Sequence, residues 1–210
     1  MANALIDNSE RFKLVKYIKE LVSRLDCNHI MIATGYWDLP GTALVYEELK
    51  DFFVRGGKLD LLIGQEPQLQ YYQAYQKVRQ FPDFYIQRDI ESLSDEYKPI
   101  GKLIIDNALT EENPRGKFEI RVYGQGEHKE FLHAKCYIFL GNNHTLATGI
   151  VGSSNFTLKG LQGNAELNYL EENGNSVAAP FTEYSTSKSH KAWFEELWQN
   201  SELWSGKFIK

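Results

Sequence analysis

The sequence is poor in the residues that build disulfide frameworks and metal clusters. It has two cysteines, Cys27 and Cys136. Both lie in apolar runs, which is typical of buried free thiols rather than of a disulfide scaffold. The five histidines are scattered, and no pair of carboxylates has the spacing of metal ligands. We therefore expect no metal site and no cofactor.

Long hydrophobic runs, leader-like segments and an excess of basic charge are also missing. No apolar run is long enough to span a bilayer, and the opening residues MANALIDNSERFK lack the order of a signal peptide. We therefore expect a soluble, cytoplasmic protein with no membrane partner. Because the net charge is −5, a nucleic-acid partner would have to be held by a local cluster of cations rather than by the whole surface.

The first part of the chain alternates helical and strand-like patterns. A helical run over 9–25 precedes the apolar run HIMIATGYW, and a second helical run over 42–57 precedes KLDLLIG. Helices that alternate with buried strands predict an α/β unit with a parallel sheet. We interpret Gly35, Tyr36 and Trp37 as a strand end with aromatic packing, and a base-stacking role is the less favoured alternative.

The rest of the chain adds further strands and a closing helix. The middle predicts a helix over 68–81 and short helices over 89–106 that are broken near Pro99. Four strand-like runs follow, namely KFEIRVYG, EFLHAKCYIFL, HTLATGIVG and NAELNYLEE. The predicted fold class is α/β, with a mixed, largely parallel sheet flanked by helices. We place the main domain at 1–185 and an aromatic amphipathic helix at 186–210; whether that helix leads into a further domain stays open.

One strand-like run carries two polar residues that suit an anion. His133 and Lys135 lie two residues apart in FLHAKCYIF, so in a strand both side chains would point to the same face. Polar groups on a buried face need a partner, and a phosphate would serve both. The lysine supplies charge and donors, and the histidine is a nucleophile or a general acid or base near neutral pH.

A second cluster follows the next strand-like run. Ser153, Ser154 and Asn155 supply two hydroxyls and an amide, which are groups that donate hydrogen bonds to phosphate oxygens. Glu166 lies in the following run between Ala165 and Leu167. We expect this carboxylate to be at least half-buried and to accept a hydrogen bond from a histidine ring, which would fix the tautomer of that ring.

Taken in order, HAK, GSSNFT and NAE resemble the signature of the phospholipase D superfamily, which is His-x-Lys, an Asp and a Gly-Ser-x-Asn element. The resemblance covers 131–170 and implies a phospholipase D-like fold. It also implies a metal-independent phosphodiesterase that forms a covalent phosphohistidine, while a second histidine protonates the leaving oxygen. The implied roles are nucleophile or acid for His133, phosphate ligands for Lys135 and Asn155, further substrate contacts for Ser153 and Ser154, and orientation of the histidine for Glu166.

The sequence departs from the family signature at one position. The family Asp usually falls five residues after the lysine, where this chain has Leu140. That departure leaves open a catalytically silent module, which would hold nucleic acid in a retained phosphate pocket.

The chain contains one copy of His-x-Lys and no internal repeat, whereas the family mechanism needs two copies of the motif facing each other. Two sources of the second motif stay open. The chain forms a symmetric homodimer through its active-site face, or it is the nuclease module of a longer restriction or helicase protein. The resemblance to single-motif nucleases favours nucleic acid as the substrate, with DNA ahead of RNA. A phospholipid phosphodiesterase or phosphatidyltransferase is the remaining alternative.

Overall fold

The computed structural model describes residues 4–64, 98–110, 113–124, 131–142 and 146–203. Its strands are β1 (Ala4–Ile6), β2 (Cys27–Thr34), β3 (Lys58–Ile63), β4 (Phe118–Val122), β5 (Cys136–Gly141), β6 (Ala147–Gly152), β7 (Asn168–Glu171) and β8 (Glu202–Leu203). Its α-helices are α1 (Leu14–Ser23), α2 (Leu39–Ala43), α3 (Tyr46–Val54), α4 (Lys98–Asn107), α5 (Gly174–Ala178) and α6 (His190–Gln199), with a π-helical turn at Lys159–Gly163. The helix predicted over 68–81 lies outside the described residues.

The strands form one mixed sheet in the order β1-β7-β6-β5-β2-β3-β4-β8. This confirms the predicted α/β class with a mixed sheet, but the prediction that the sheet is largely parallel is wrong. Among the described strands, β2–β3 and β3–β4 pair in parallel, and the other five neighbouring pairs are antiparallel. Strands β5 and β6 are separated by only residues 142–146, which suits an antiparallel pair, whereas a parallel pair needs a long crossover.

Two hydrophobic cores lie on the two faces of this sheet. Strand β2 contributes Ile30 and Ile32 to the core under α1, α3 and α4, and it contributes Met31 and Ala33 to the core under α5 and α6. Burial on both faces explains why this strand has a continuous apolar sequence rather than an alternating one. Phe194 of α6 is fully buried in the second core, so the last helix seals one face of the sheet.

Two further expectations concern the cysteines and the helix around Pro99. Cys27 and Cys136 are free and buried, as predicted, and burial raises the pKa of each thiol to about 12. Helix α4 begins at Lys98 and contains Pro99 in its first turn; the segment before it, where the predicted break would end a preceding helix, lies outside the described residues. The first turn of a helix tolerates proline, since its backbone N–H would have no partner there.

Candidate active site

The predicted site residues leave the sheet at the same end. Cys136, the first residue of β5, pairs with Ala33 near the end of β2 and with Val151 near the end of β6. Because β5 runs antiparallel to both neighbours, its beginning lies beside their carboxyl ends. Residues 131–135 therefore meet residues 152–155 there, and the backbone N–H of Gly152 donates to the carbonyl oxygen of Lys135 at 3.2 Å.

The strand predicted to carry His133 and Lys135 begins later than expected. Residues 131–135 are irregular, and β5 starts at Cys136. The two side chains consequently do not share an environment. His133 is exposed, and Lys135 is buried with 5% of its surface accessible. The His133 ring packs beside the Phe131 ring at 5.9 Å between centroids, and it has no hydrogen-bond partner among the residues that the structure describes.

Lys135 holds its ammonium group against the backbone of the histidine. Its Nζ donates to the carbonyl oxygen of His133 at 2.5 Å, which leaves two of the three ammonium protons for another acceptor. Burial lowers the pKa of Lys135, and the negative charge of Glu166 acts in the opposite direction. Binding an anion would stabilise a cation that is desolvated in this way.

Asn155 is oriented by the end of β2. Its Oδ1 accepts from the backbone N–H of Tyr36 at 3.1 Å and lies 3.3 Å from the hydroxyl of Thr34. Because a backbone N–H can donate only to the amide oxygen, the amide nitrogen must be on the other side of the group. Nδ2 has no partner in the described part of the chain, so its two protons are available to a ligand.

Gly35 lets Asn155 approach the segment that carries the histidine. A Cβ atom at this glycine would lie 3.1 Å from the carbonyl oxygen of Leu132, 3.3 Å from Oδ1 of Asn155 and 3.6 Å from the Phe131 ring. The absence of a side chain there brings these three groups together. Asn155 and the residues just before His133 therefore converge on one point.

Glu166 contacts the serine loop rather than the histidine. Its Oε2 accepts from the Ser153 hydroxyl at 2.5 Å, and its Oε1 accepts from Nδ2 of Asn164 at 3.2 Å. The Ser153 hydroxyl in turn accepts from the backbone N–H of Leu167 at 3.0 Å. Glu166 precedes β7 instead of lying in it, and no hydrogen bond joins it to His133 in the described ranges. In this structure Glu166 therefore fixes the position of the loop that carries Ser153.

Ser154 faces the interior of the protein. It is fully buried, its hydroxyl accepts from Nδ2 of Asn168 at 2.9 Å, and its backbone N–H donates to Oδ1 of Asn168 at 3.2 Å. The phenol of Tyr137 donates to the Ser154 carbonyl oxygen at 2.8 Å. With these bonds made, Ser154 presents no group to a ligand, and it serves to fix the loop that carries Asn155.

Two supporting residues were not identified from the sequence. Thr34 is fully buried, accepts from the backbone N–H of Phe156 at 3.0 Å and donates to the carbonyl oxygen of Tyr36 at 2.7 Å. Asn168 is buried and makes the bonds to Ser154 described above. Both are polar residues inside apolar runs, which was the available signal, since a buried polar side chain requires a partner.

Leu140, which replaces the family Asp, lies away from these groups. It is buried in β5 opposite Ala147. Leu140 follows Lys135 by five positions, a distance of roughly 16 Å at the rise of a β-strand. The substitution therefore changes the far end of the strand and leaves the residues around His133 intact.

Neither a metal cluster nor a membrane span is found in the ranges that the structure covers. No three side chains of His, Cys, Asp or Glu gather there as metal ligands. No helix among these residues is both long and apolar enough to cross a membrane.

The family model described as "Cardiolipin synthase, PLD-like domain" matches residues 21–198. This range contains every residue of the site and covers most of the chain. The chain belongs to the phospholipase D-like family. The resemblance inferred from the motifs is thereby confirmed.

Three solved structures share the fold at low sequence identity. NucT from Helicobacter pylori is 10% identical, with a TM-score of 0.54 over 95% of this chain and 96% of that chain. Nuc from Salmonella typhimurium, a phospholipase D family member, is 12% identical, with a TM-score of 0.50 over 96% and 97%. Phosphatidylserine synthase from Haemophilus influenzae is 12% identical, with a TM-score of 0.57 over 97% of this chain and 39% of that chain. No curated protein matches the sequence.

Proposed function

We propose that this phospholipase D-like chain is a metal-independent phosphodiesterase that cleaves nucleic acid with His133 as the nucleophile. The observation that carries the proposal is the buried ammonium of Lys135, held against the backbone of an exposed histidine. Asn155, whose amide protons are available, approaches the same segment across Gly35. Two sets of donors next to a nucleophile form a suitable cradle for a phosphodiester.

The reaction follows from these groups in two steps. A ring nitrogen of His133 attacks phosphorus, and the bond between phosphorus and the leaving oxygen breaks as that oxygen takes a proton from a second histidine. Water then attacks the phosphohistidine and gives its proton back to the second histidine, while the phosphorus–nitrogen bond breaks. Lys135 and Asn155 donate hydrogen bonds to the non-bridging oxygens, whose charge increases in each transition state.

The second histidine comes from a second copy of the chain in this proposal. Exposed apolar side chains lie beside the site: Leu167 is adjacent to Glu166 and is 59% exposed, and Leu5 pairs with Tyr169 at the same edge and is 64% exposed. A symmetric dimer that buries this strip would bring two His133 rings toward one two-fold axis. The strip continues directly from the site, which is why we choose a second copy as its occupant.

Nucleic acid is the substrate class that we favour, with DNA tested first. The structural matches to NucT and Nuc extend over nearly the whole of both chains, whereas the match to phosphatidylserine synthase covers 39% of that protein. The fold of this chain therefore corresponds to nearly the whole of each of those two proteins. It would act as a homodimer or as the nuclease module of a longer restriction or helicase protein.

The decisive experiment compares the wild type with His133→Ala in excess chelator. We expect the wild type to cleave labelled DNA oligonucleotides without added metal and the variant to lose cleavage by at least about a hundred-fold, while oligonucleotide binding is largely kept. His29→Gln, at the opposite end of β2, is the matched control and should cleave normally. Complete loss of wild-type activity in chelator would contradict the mechanism.

A silent nucleic-acid-binding module is the second candidate, and one observation favours it. In the described part of the structure no carboxylate is bonded to the His133 ring, so nothing there fixes its tautomer. This alternative gives a different result in the same experiment: the wild type binds DNA oligonucleotides and does not cleave them, and His133→Ala binds equally well.

A further inference from the structure

Three aromatic rings form a continuous row beside the site. The Tyr36 ring lies 6.1 Å from the Phe131 ring, and the Phe131 ring lies 5.9 Å from the His133 ring, measured between centroids. Tyr36 and Phe131 are half-buried, and His133 is exposed. We call this row, made of Tyr36, Phe131 and His133, the aromatic ledge.

The backbone around the site holds the ledge in place. The N–H of Tyr36 donates to Oδ1 of Asn155, so the residue that begins the ledge also orients a proposed phosphate ligand. Phe131 packs against Gly35, where its ring would lie 3.6 Å from an added Cβ atom. The ledge and the proposed phosphate site are therefore parts of one structure.

Among the residues that the structure describes, Trp37 packs against a hydrophobic core, whereas Tyr36 and Phe131 belong to neither of the two cores. Trp37 donates from its indole nitrogen to the Thr42 hydroxyl and packs edge-on against Phe118, so its position is explained by the interior. Tyr36 and Phe131 instead keep part of their surface exposed next to His133. Partly exposed rings beside a phosphate-binding groove are an arrangement by which proteins stack unpaired bases.

We propose that Tyr36 and Phe131 bind an unpaired nucleobase next to the phosphodiester held at His133, so that the protein prefers single-stranded nucleic acid. The inference rests on the proposed function and adds the kind of substrate to it. A base within a duplex has both faces covered by its neighbours, so a ring can stack on it only after unpairing or unstacking, which costs free energy. An unpaired strand binds without that cost.

The experiment measures binding in the His133→Ala background, where cleavage does not consume the ligand. The probes are a fluorescent oligothymidylate and an abasic oligonucleotide of equal length and charge. We expect the oligothymidylate to bind about ten-fold more tightly than the abasic strand. Phe131→Leu and Tyr36→Leu should each remove most of this difference by weakening only the base-bearing strand. A duplex of the same length should bind more weakly than the single strand.

Two matched variants separate stacking from other effects. Phe181→Leu removes an aromatic ring that is 55% exposed near α6, and it should leave both affinities unchanged. Lys135→Ala should weaken both probes by a similar factor, because both carry phosphates. Thermal melting checks that each variant is folded, and Tyr36→Leu provides the test if Phe131→Leu does not fold.

The possible results distinguish the ledge from the proposed function. Equal binding of the abasic and base-bearing strands, together with cleavage by the wild type, overturns the ledge and leaves the nuclease. Base-dependent binding that needs Phe131, without cleavage, supports the ledge and overturns the nuclease. Binding to phosphatidylglycerol vesicles and to neither oligonucleotide overturns both.

Discussion

Lys135 is a charged residue in a buried position, and burial favours uncharged side chains. Its side chain is buried, and its ammonium has one hydrogen bond to a backbone carbonyl oxygen. Taking a cation out of water costs several kcal/mol unless charges and hydrogen bonds compensate it. We infer that this position is kept polar for the ligand rather than for the stability of the fold.

Replacing this lysine should therefore separate stability from activity. We expect Lys135→Met to lower cleavage by at least about a hundred-fold and to leave the thermal midpoint equal or higher, because a buried charge is removed. The pKa of Lys135 is lowered in the folded state, so the cost of burying its charge is full below that lowered pKa and declines as the pH rises through it toward 10.5.

The measurements are a cleavage rate and a thermal melt at neutral pH. Lys159→Met, at an exposed lysine, is the control and should change neither quantity. A Lys135→Met protein that melts well below the wild type would show that the lysine supports the fold.

The sequence indicated which candidate site residues lie near one another better than it indicated their contacts. His133, Lys135 and Asn155 do converge, because the motif order together with strands that end at one edge already constrains them. The contacts of Glu166 and Ser154 depend on how the loops at 152–155 and 164–167 turn. Loops follow no periodicity of two or 3.6 residues, so the pattern gave no information about which way these side chains point.

At the scale of elements, α6 carries a half-buried histidine at its start. His190 is the first residue of the helix, and its Nε2 lies 3.7 Å from Oε2 of Glu171 on β7. Burial lowers the pKa of His190, and Glu171 acts against that shift. Lys188 and Lys135 line the same cavity, and the positive end of the helix dipole also disfavours a cation there.

This histidine should make the protein less stable in mild acid. The pKa of His190 in the folded protein lies below 6.5. The contribution of the neutral ring to the free energy of unfolding is therefore full above pH 6.5 and is lost as the pH falls through the folded pKa. We expect His190→Gln to lose less unfolding free energy than the wild type between about pH 7 and pH 5. Urea titrations at a series of pH values measure this, and equal losses in the two proteins would contradict it.

The elements themselves were predicted unevenly. Strand β2 was clear because residues buried on both faces give an unbroken apolar run. The start of β5 was placed too early, since Phe131, Leu132 and Ala134 continue the apolar pattern although the backbone at 131–135 is irregular. The direction of pairing was also missed, because it depends on connections rather than on strand composition.

At the scale of the whole molecule, the proposed dimer depends on one apolar edge. We expect the wild type to be a dimer by light scattering and Leu167→Lys to be a folded monomer, because a charge in that strip would be buried without a partner. The variant should also lose cleavage, since it lacks the second histidine. Leu25→Lys, at a leucine that is 87% exposed after α1, should stay dimeric and active.

A monomeric wild type that still cleaves DNA would exclude this assembly. The sequence could indicate that a second motif is needed, because the chain has one His-x-Lys and no internal repeat. It could not locate the surface that supplies it. The strip becomes visible only when β1 and β7 are paired, as in the register that joins Leu5 to Tyr169.

That pairing also bears on how the protein is made. Strand β1 consists of Ala4–Ile6, and its sheet neighbour is β7, at Asn168–Glu171. During synthesis the ribosome releases β1 long before β7 is made. Until then β1 has no strand to pair with, and its backbone N–H and C=O groups are bound by water or by a chaperone. The edge of the sheet that borders the site is thus completed late, and contacts between such distant parts of a chain are slow to form.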